Sequence, residues 1–186
     1  MNNVQRTRPV RTCTEVYSVY QSFRQPLKHD FNQRCGYCDD PDTHYGQEVA
    51  YHIDHFKPKS KFPNLETEYS NLIYSCPYCN RAKSNTWQDR NGFIDPCDNK
   101  YNDHLKRNNK GQIKPKTPRG EYIVKNLKLF IKRHELIWLI NKFENQKTQL
   151  NKVIDSGDTS NAVSLLIQFH KIQCEIDKYC RNLTNG

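Results

Sequence analysis

Two short cysteine pairs, Cys35-Gly36-Tyr37-Cys38 and Cys76-Pro77-Tyr78-Cys79, constrain this chain more than any other feature. Two residues between paired cysteines let both thiolates turn back onto one ion. Two such knuckles complete a tetrahedral four-sulfur set of the kind that suits Zn2+. Thirty-seven residues, 39 to 75, separate the pairs, so a zinc ion on Cys35, Cys38, Cys76 and Cys79 would tie the base of a long excursion. A redox role fits less well, because the pairs are duplicated and no βαβ pattern surrounds them. Four thiolates leave no open coordination position, so this zinc is expected to organise the fold and not to react.

The opening residues, MNNVQRTRPVRTC, are basic and no apolar segment follows them, which argues against a secretory signal. A cytoplasmic location is the expectation, and thiols stay reduced there. Eight cysteines then point to metal binding more than to disulfides. Cys13, Cys97, Cys174 and Cys180 share no ligand spacing and are expected as buried thiols.

At 186 residues, 35% apolar and a mean hydropathy of -0.98, the chain fits a small, wet domain with an appendage. Such a domain needs extra fastening, such as a bound metal. A net charge of +9 and a pI near 9.1 favour a polyanionic partner such as DNA. No apolar run approaches the ~20 residues that span a bilayer, so a membrane role is not expected.

Four segments follow along the chain. Residues 1–34 form an N-terminal arm, with a short helix expected from Val16, Val19 or Tyr20, and Phe23, broken near Pro26. Residues 35–99 form the zinc-clamped core. Residues 100–120 read as a basic loop, with seven Lys or Arg (Lys100, Lys106, Arg107, Lys110, Lys114, Lys116, Arg119) against Asp103 alone up to residue 119. Residues 121–186 are expected to form a helical hairpin. One stripe there runs Leu136, Ile140, Phe143, Leu150, Ile154, and another runs Leu165, Phe169, Ile172, Ile176, Tyr179, Leu183. A turn is expected at 155–161, with Asp158 or Thr159 as N-cap.

Inside the excursion, Val49 to Phe56 (VAYHIDHF) has the residue types of a strand, and the run from Cys79 (CNRAKSNTWQ) opens like a short helix. Strand, loop and helix pinned by zinc make a small ββα-like unit. In the strand, two histidines and an aspartate fall within four residues. Adjacent Asp54 and His55 would point to opposite faces of a regular strand, so both reach one phosphate only where the strand ends or bulges.

Taken together, Asp54-His55, Asn71-Leu72 and Cys76-x-x-Cys79-Asn80-x-x-Lys83 resemble the HNH endonucleases, whose core is the ββα-metal fold. The resemblance covers about residues 35 to 95, with GFIDPCD (92–98) also similar. It implies an α+β fold: a small zinc-stabilised core with an N-terminal helix and a C-terminal helical hairpin. It implies His55 as general base, Asp54 as ligand of a catalytic metal, and Asn71 as the residue holding the loop that orients His55. Asn80 stands where the family usually has a histidine, which makes this an HNN variant with Asn80 as an amide-oxygen ligand.

The chemistry of those residue types agrees. A neutral imidazole takes a proton near physiological pH, and a hard oxygen donor set favours Mg2+ or Mn2+ over a second zinc. His52 would share the face of Asp54 in a regular strand; packing beside the site or supporting its ligands is the expectation, against a third metal ligand or a phosphate contact. Lys57, Lys59, Lys61, Arg81 and Lys83 are candidate phosphate contacts, with solvated surface the blander reading for each. His104 reads as incidental.

The run HIDHFKPKS, CPYCNRAK, GFIDPCD and TPRGEYIVKNLKL is similar to HNH nuclease subunits of Septu and some retron anti-phage systems, which act beside an ATPase subunit. That resemblance implies an ATPase partner docked through residues 121–186. Two other readings compete: a zinc-stabilised nucleic-acid-binding module without catalysis, and an interaction subunit whose charge serves solubility.

Overall fold

A computed structural model describes residues 2–156 and 162–184. The chain divides into two compact units, residues 1–131 and 132–186. The boundary falls eleven residues beyond the expected start of the helical tail, because Pro118–Asn126 forms a helix belonging to the first unit.

The first unit is built around an antiparallel pair, β1 (His52–His55) and β2 (Leu72–Ser75), followed by α2 (Pro77–Lys83). His55 pairs with Leu72 and Asp54 with Ile73. All four residues of β2 are buried, so this strand is covered on both faces and does not alternate as a half-exposed strand would. Before it lies α1 (Arg24–Asp30), entered through a 3-10 turn at Tyr20–Phe23. The helix therefore starts later than Val16, which is 93% exposed. Pro26 falls within its first turn, where a missing amide hydrogen costs no helical bond. Phe23, Leu27 and Phe31, four apart, supply its buried face.

Tyrosines fill much of the core, and each buried hydroxyl finds an acceptor, as burial requires. Tyr37 donates to Asp54, Tyr51 to the Asp40 carbonyl, Tyr74 to Asp42, and Tyr101 to the Tyr37 carbonyl. The N-terminal arm is stitched onto this core. Gln5 donates to the carbonyls of Gly36 and Pro96, and Arg11 grips Asp95 through two nitrogens.

The segment expected as a basic loop is ordered. It contains α3 (Tyr101–His104) and a hairpin of β3 (Leu105–Arg107) and β4 (Ile113–Pro115), and leads into α4 (Pro118–Asn126). Arg107 is buried, donating to the carbonyls of Gly111 and Cys38. It is a fastening of the first cysteine knuckle and not a surface cation. His104 bonds Thr117, the residue whose side chain caps α4 by accepting from Gly120 N–H.

The second unit is two helices, α5 (Lys132–Asp155) and α6 (Ala162–Thr184). They run antiparallel: Phe143 stacks on Tyr179, and Lys147 reaches Gln173 and lies over Phe169. The six α6 residues of the expected stripe are all half-buried or buried, with Ile176 the most enclosed. In α5, Leu136, Ile140 and Leu150 are buried as expected, and Ile137 and Leu139 join them, whereas Ile154 is exposed. Residues 157–161 of the expected turn, including both N-cap candidates, lie outside the described residues. Cys174 and Cys180 are exposed and Cys13 and Cys97 are half-buried, so the expectation of four buried thiols is corrected. An amphipathic helix has a solvent face, and the two tail cysteines fall on it. Among the described residues, no helix is long and apolar enough to cross a membrane.

Candidate metal centre and active site

The four knuckle cysteines converge. Cys35, Cys38, Cys76 and Cys79 are fully buried, and their Sγ atoms all lie within 4.8 Å of one another. The Sγ atoms of Cys38 and Cys76 are 3.7 Å apart. A zinc–sulfur bond near 2.3 Å sets tetrahedral edges of about 3.8 Å, so the sulfur set fits that ion.

Backbone geometry prepares both knuckles. Asp39, in the left-handed region (φ 64°), turns the chain so that Cys35 N–H donates to the Asp40 carbonyl and Asp39 N–H to the Cys35 carbonyl. At the second knuckle Cys76 is the N-cap of α2, its Sγ accepting from Cys79 N–H. Burial pushes the Cys38, Cys76 and Cys79 thiols above their ordinary range, whereas at Cys35 burial is outweighed by hydrogen bonds from those three, which hold it well below; a bound cation is what would hold all four as thiolates.

A second centre lies where β1 ends. A cleft of about 420 Å3 is lined by Tyr20, His52, Asp54, His55, Pro58, Lys59, Asn80 and Arg81, among others. The neighbours Asp54 and His55 both reach it because His55 is the last strand residue. The chain continues from there into a loop pinned by Asn71. The Asn71 side chain accepts from Lys57 N–H at 2.8 Å and donates to the carbonyls of Lys57 and Leu65, each at 3.1 Å. The next carbonyl, that of Glu66, lies 2.9 Å from His55 Nε2. A carbonyl only accepts, so Nε2 carries the hydrogen and Nδ1 holds the lone pair. Tyr20 meets the imidazole edge-on at 4.8 Å. Burial draws the His55 pKa below its ordinary 6.5, opposed by the Glu66 carbonyl and Asp54, so the ring is neutral at physiological pH.

Asp54 is buried and engaged from behind. Tyr37 donates to Oδ2 at 2.5 Å, and the Lys83 ammonium sits 3.2 Å from Oδ1 and 3.1 Å from Oδ2. Lys83 also donates to the His55 carbonyl at 2.6 Å. Burial raises the Asp54 pKa and lowers that of Lys83, while each charge opposes the other's shift. Lys83 was expected to contact phosphate. At 0% exposure it does not, because three residues beyond Asn80 on α2 its side chain turns toward β1 and finds Asp54. Asn80 is half-buried and lines the cleft from α2.

His52 is exposed and lines the same cleft as Asp54, so it is not packed in the core, and it pairs in β1 with Ser75. Burial and the nearby charges of Arg24 and Arg81 lower its pKa. Of the remaining cations, Lys59 and Arg81 line the cleft. Lys59 pairs with Glu66 and lies over Tyr20, Lys57 lies over Phe62 and Trp87, and Arg81 and Lys61 are exposed. Sequence reasoning missed Tyr20, Tyr37 and the Glu66 carbonyl. Tyr37 stands at a spacer position of the first cysteine pair and Tyr20 and Glu66 belong to no motif, although the three-residue spacing of Asn80 and Lys83 does signal one shared helix face.

Comparison with known proteins agrees with this geometry. Residues 35–86 match the family described as HNH endonuclease. The likeness to an HNH domain lies in this segment. The segment contains both cysteine pairs, the Asp54-His55 strand end, Asn71 and Asn80, in the α+β setting expected of a small metal-binding HNH core. The chain is also similar to the Septu protein PtuB of Bacillus thuringiensis, with 32% identity over 76 residues. That match covers 40% of this chain and 28% of the relative, so the chain matches less than a third of that protein's length. No solved structure matches.

Proposed function

We propose that this chain is a metal-dependent endonuclease that hydrolyses DNA phosphodiester bonds. The observation that carries the reading is the orientation of His55: its Nε2–H is spent on the Glu66 carbonyl, and the cleft it lines is shared with Asp54 and Asn80. In this reading His55 Nδ1 takes the proton of the attacking water. Asn71 fixes the loop that carries the Glu66 carbonyl, and so fixes the imidazole plane. Asp54 and Asn80 offer a carboxylate and an amide oxygen, a hard donor set suited to Mg2+ or Mn2+. Such an ion, when bound, supplies charge stabilisation for the phosphate and the leaving oxygen. Lys57, Lys59 and Arg81 contact the DNA backbone, and zinc on the four cysteines holds the core together.

The similarity to a Septu protein supports a place in a bacterial anti-phage defence system, with residues 121–186 as the segment that docks an ATPase subunit. The test is plasmid cleavage with Mg2+ by the parent and by His55→Ala. The variant should lose cleavage by at least about a thousandfold, in keeping with loss of a general base, and retain DNA affinity. Equal cleavage by both would remove His55 from the mechanism. Retained DNA binding without cleavage by the parent would favour the binding-module reading.

A further inference from the structure

Lysine is almost never fully buried unless paired, and an ammonium in a protein interior is retained only with partners that match it. Lys83 has such partners: both oxygens of Asp54 and the carbonyl of His55. Tyr37 adds a neutral hydrogen bond to the same carboxylate. The Asp54 carboxylate that lines the cleft therefore arrives with its charge already matched. The sum over the pair is zero whichever of the two holds the proton. Across the cleft Asn80 contributes an amide, which is neutral, and Arg81 at the rim is positive.

A divalent ion entering between Asp54 and Asn80 thus meets oxygen donors with no net negative charge. Ions of the Mg2+ type bind proteins through one or two carboxylates and complete their shell with water and substrate phosphate. With the single carboxylate neutralised, the phosphate is the first uncompensated anion such an ion meets.

We propose that Lys83 cancels the charge of the Asp54 carboxylate, so that the free protein binds the divalent ion weakly and retains it only when a phosphodiester supplies the missing negative charge. The inference rests on the reading of Asp54 and Asn80 as ion ligands. Lys83 acts through Asp54 and is a positioning residue. Its consequence is an enzyme whose ion site fills only on its substrate.

The experiment is a Mn2+ titration followed by electron paramagnetic resonance, using zinc-loaded His55→Ala protein so that DNA is not cut. Each protein is measured alone and with a short duplex. The His55→Ala protein should bind Mn2+ at least about tenfold more tightly with the duplex than without it. Adding Lys83→Met should tighten duplex-free binding by about tenfold or more and shrink the duplex effect. Asn80→Asp adds one negative charge at a half-buried position without touching the buried pair, and should do the same. Should Lys83→Met not fold, Lys83→Gln, which removes the charge but keeps a donor toward Asp54, takes its place.

Tight duplex-free binding that disappears in Asp54→Asn would overturn the proposal. So would duplex-free affinity that Asn80→Asp leaves unchanged. If plasmid cleavage persists in the parent under either result, only the charge proposal falls. Absence of Asp54-dependent Mn2+ binding with and without duplex would overturn both this proposal and the ion-site reading beneath it.

Discussion

Asn71 and His55 are joined through consecutive carbonyls: Asn71 Nδ2 donates to Leu65 C=O, and His55 Nε2 donates to the next one, Glu66 C=O. The loop between Lys57 and Leu65 is thereby clamped at both ends by one side chain. Asn71→Ala removes three part-buried hydrogen bonds. Its expected stability cost is about 1–3 kcal/mol, since a buried hydrogen-bonding group left without its partner costs about that much. If the clamp also orients His55, single-turnover cleavage falls by roughly ten- to a hundredfold while DNA affinity holds within about twofold. Asn71→Asp keeps the acceptor for Lys57 N–H but replaces the donating Nδ2 by an oxygen that faces two carbonyls, and should be as damaging as alanine. Cleavage at the parental rate by a destabilised Asn71→Ala protein would mean that the clamp serves the fold alone.

Asp30 predicts an acid limb. Burial pushes its carboxyl up, but hydrogen bonds from the Thr12 hydroxyl and N–H, from His29 and from Tyr69 outweigh burial and hold its pKa at about 2, against an ordinary 3.8. A lowered folded-state pKa contributes stability that is full above the unfolded value and is lost as pH falls through the folded one. The window is therefore pH 4 down to pH 2, and the contribution is on the order of 2 kcal/mol. Urea midpoints measured across that window should fall in the parent and stay flatter in Asp30→Asn, which is already destabilised at pH 7. Parallel pH profiles for the two proteins would contradict the assignment.

Local pattern made some of this architecture legible. The cysteine cluster follows from spacing, because two residues between thiols fix how each knuckle turns. The α6 stripe follows from a 4-3 rhythm that needs no knowledge of its partner. What stayed hidden depends on contacts distant in sequence. Arg107 counted as one more cation in a basic run, yet its guanidinium is consumed by the Cys38 carbonyl, 69 residues away. Lys83 had the spacing of a helix-face neighbour of Asn80, but its burial depends on Asp54, 29 residues earlier. Tyr20 carries no motif, and only the path of the N-terminal arm brings it to His55. The strand was read as eight residues and forms over four, His52–His55, since residue type reports β-preference without reporting a partner strand.

Gly36 tests how closely the first knuckle is packed. A Cβ built there meets the Phe31 ring at 2.8 Å and the Ile73 side chain at 2.9 Å, both closer than van der Waals contact permits. Its N–H donates to the Tyr74 carbonyl and its own carbonyl accepts from Gln5, so the backbone has little room to retreat. Gly36→Ala should cost about 1–3 kcal/mol, in the range of overpacked cores. The urea midpoint reports the stability loss, and zinc release to a colorimetric chelator should become faster. An unchanged midpoint would mean that Phe31 and Ile73 yield without cost.

Removal of the metal separates the two units. Four thiols replacing a metal-bound set would leave the Cys35, Cys38, Cys76 and Cys79 side chains buried with no ion to hold them together. Structural zinc contributes folding free energy directly, because the unfolded chain lacks the assembled site. Tyr37, Tyr51, Tyr74 and Tyr101 are all fully buried in that unit. Treatment with a mercurial and a chelator should therefore release one zinc per chain and abolish the near-ultraviolet dichroism of those rings. The helical signal of residues 132–186 carries no cysteine-cluster ligand and should decline much less. Cys76→Ser should reproduce the loss without chelator, since it removes a ligand and the Sγ that accepts from Cys79 N–H. Persistence of the tyrosine signal after complete metal release would show that aromatic packing alone sustains the core and that the cysteine cluster is dispensable for the fold.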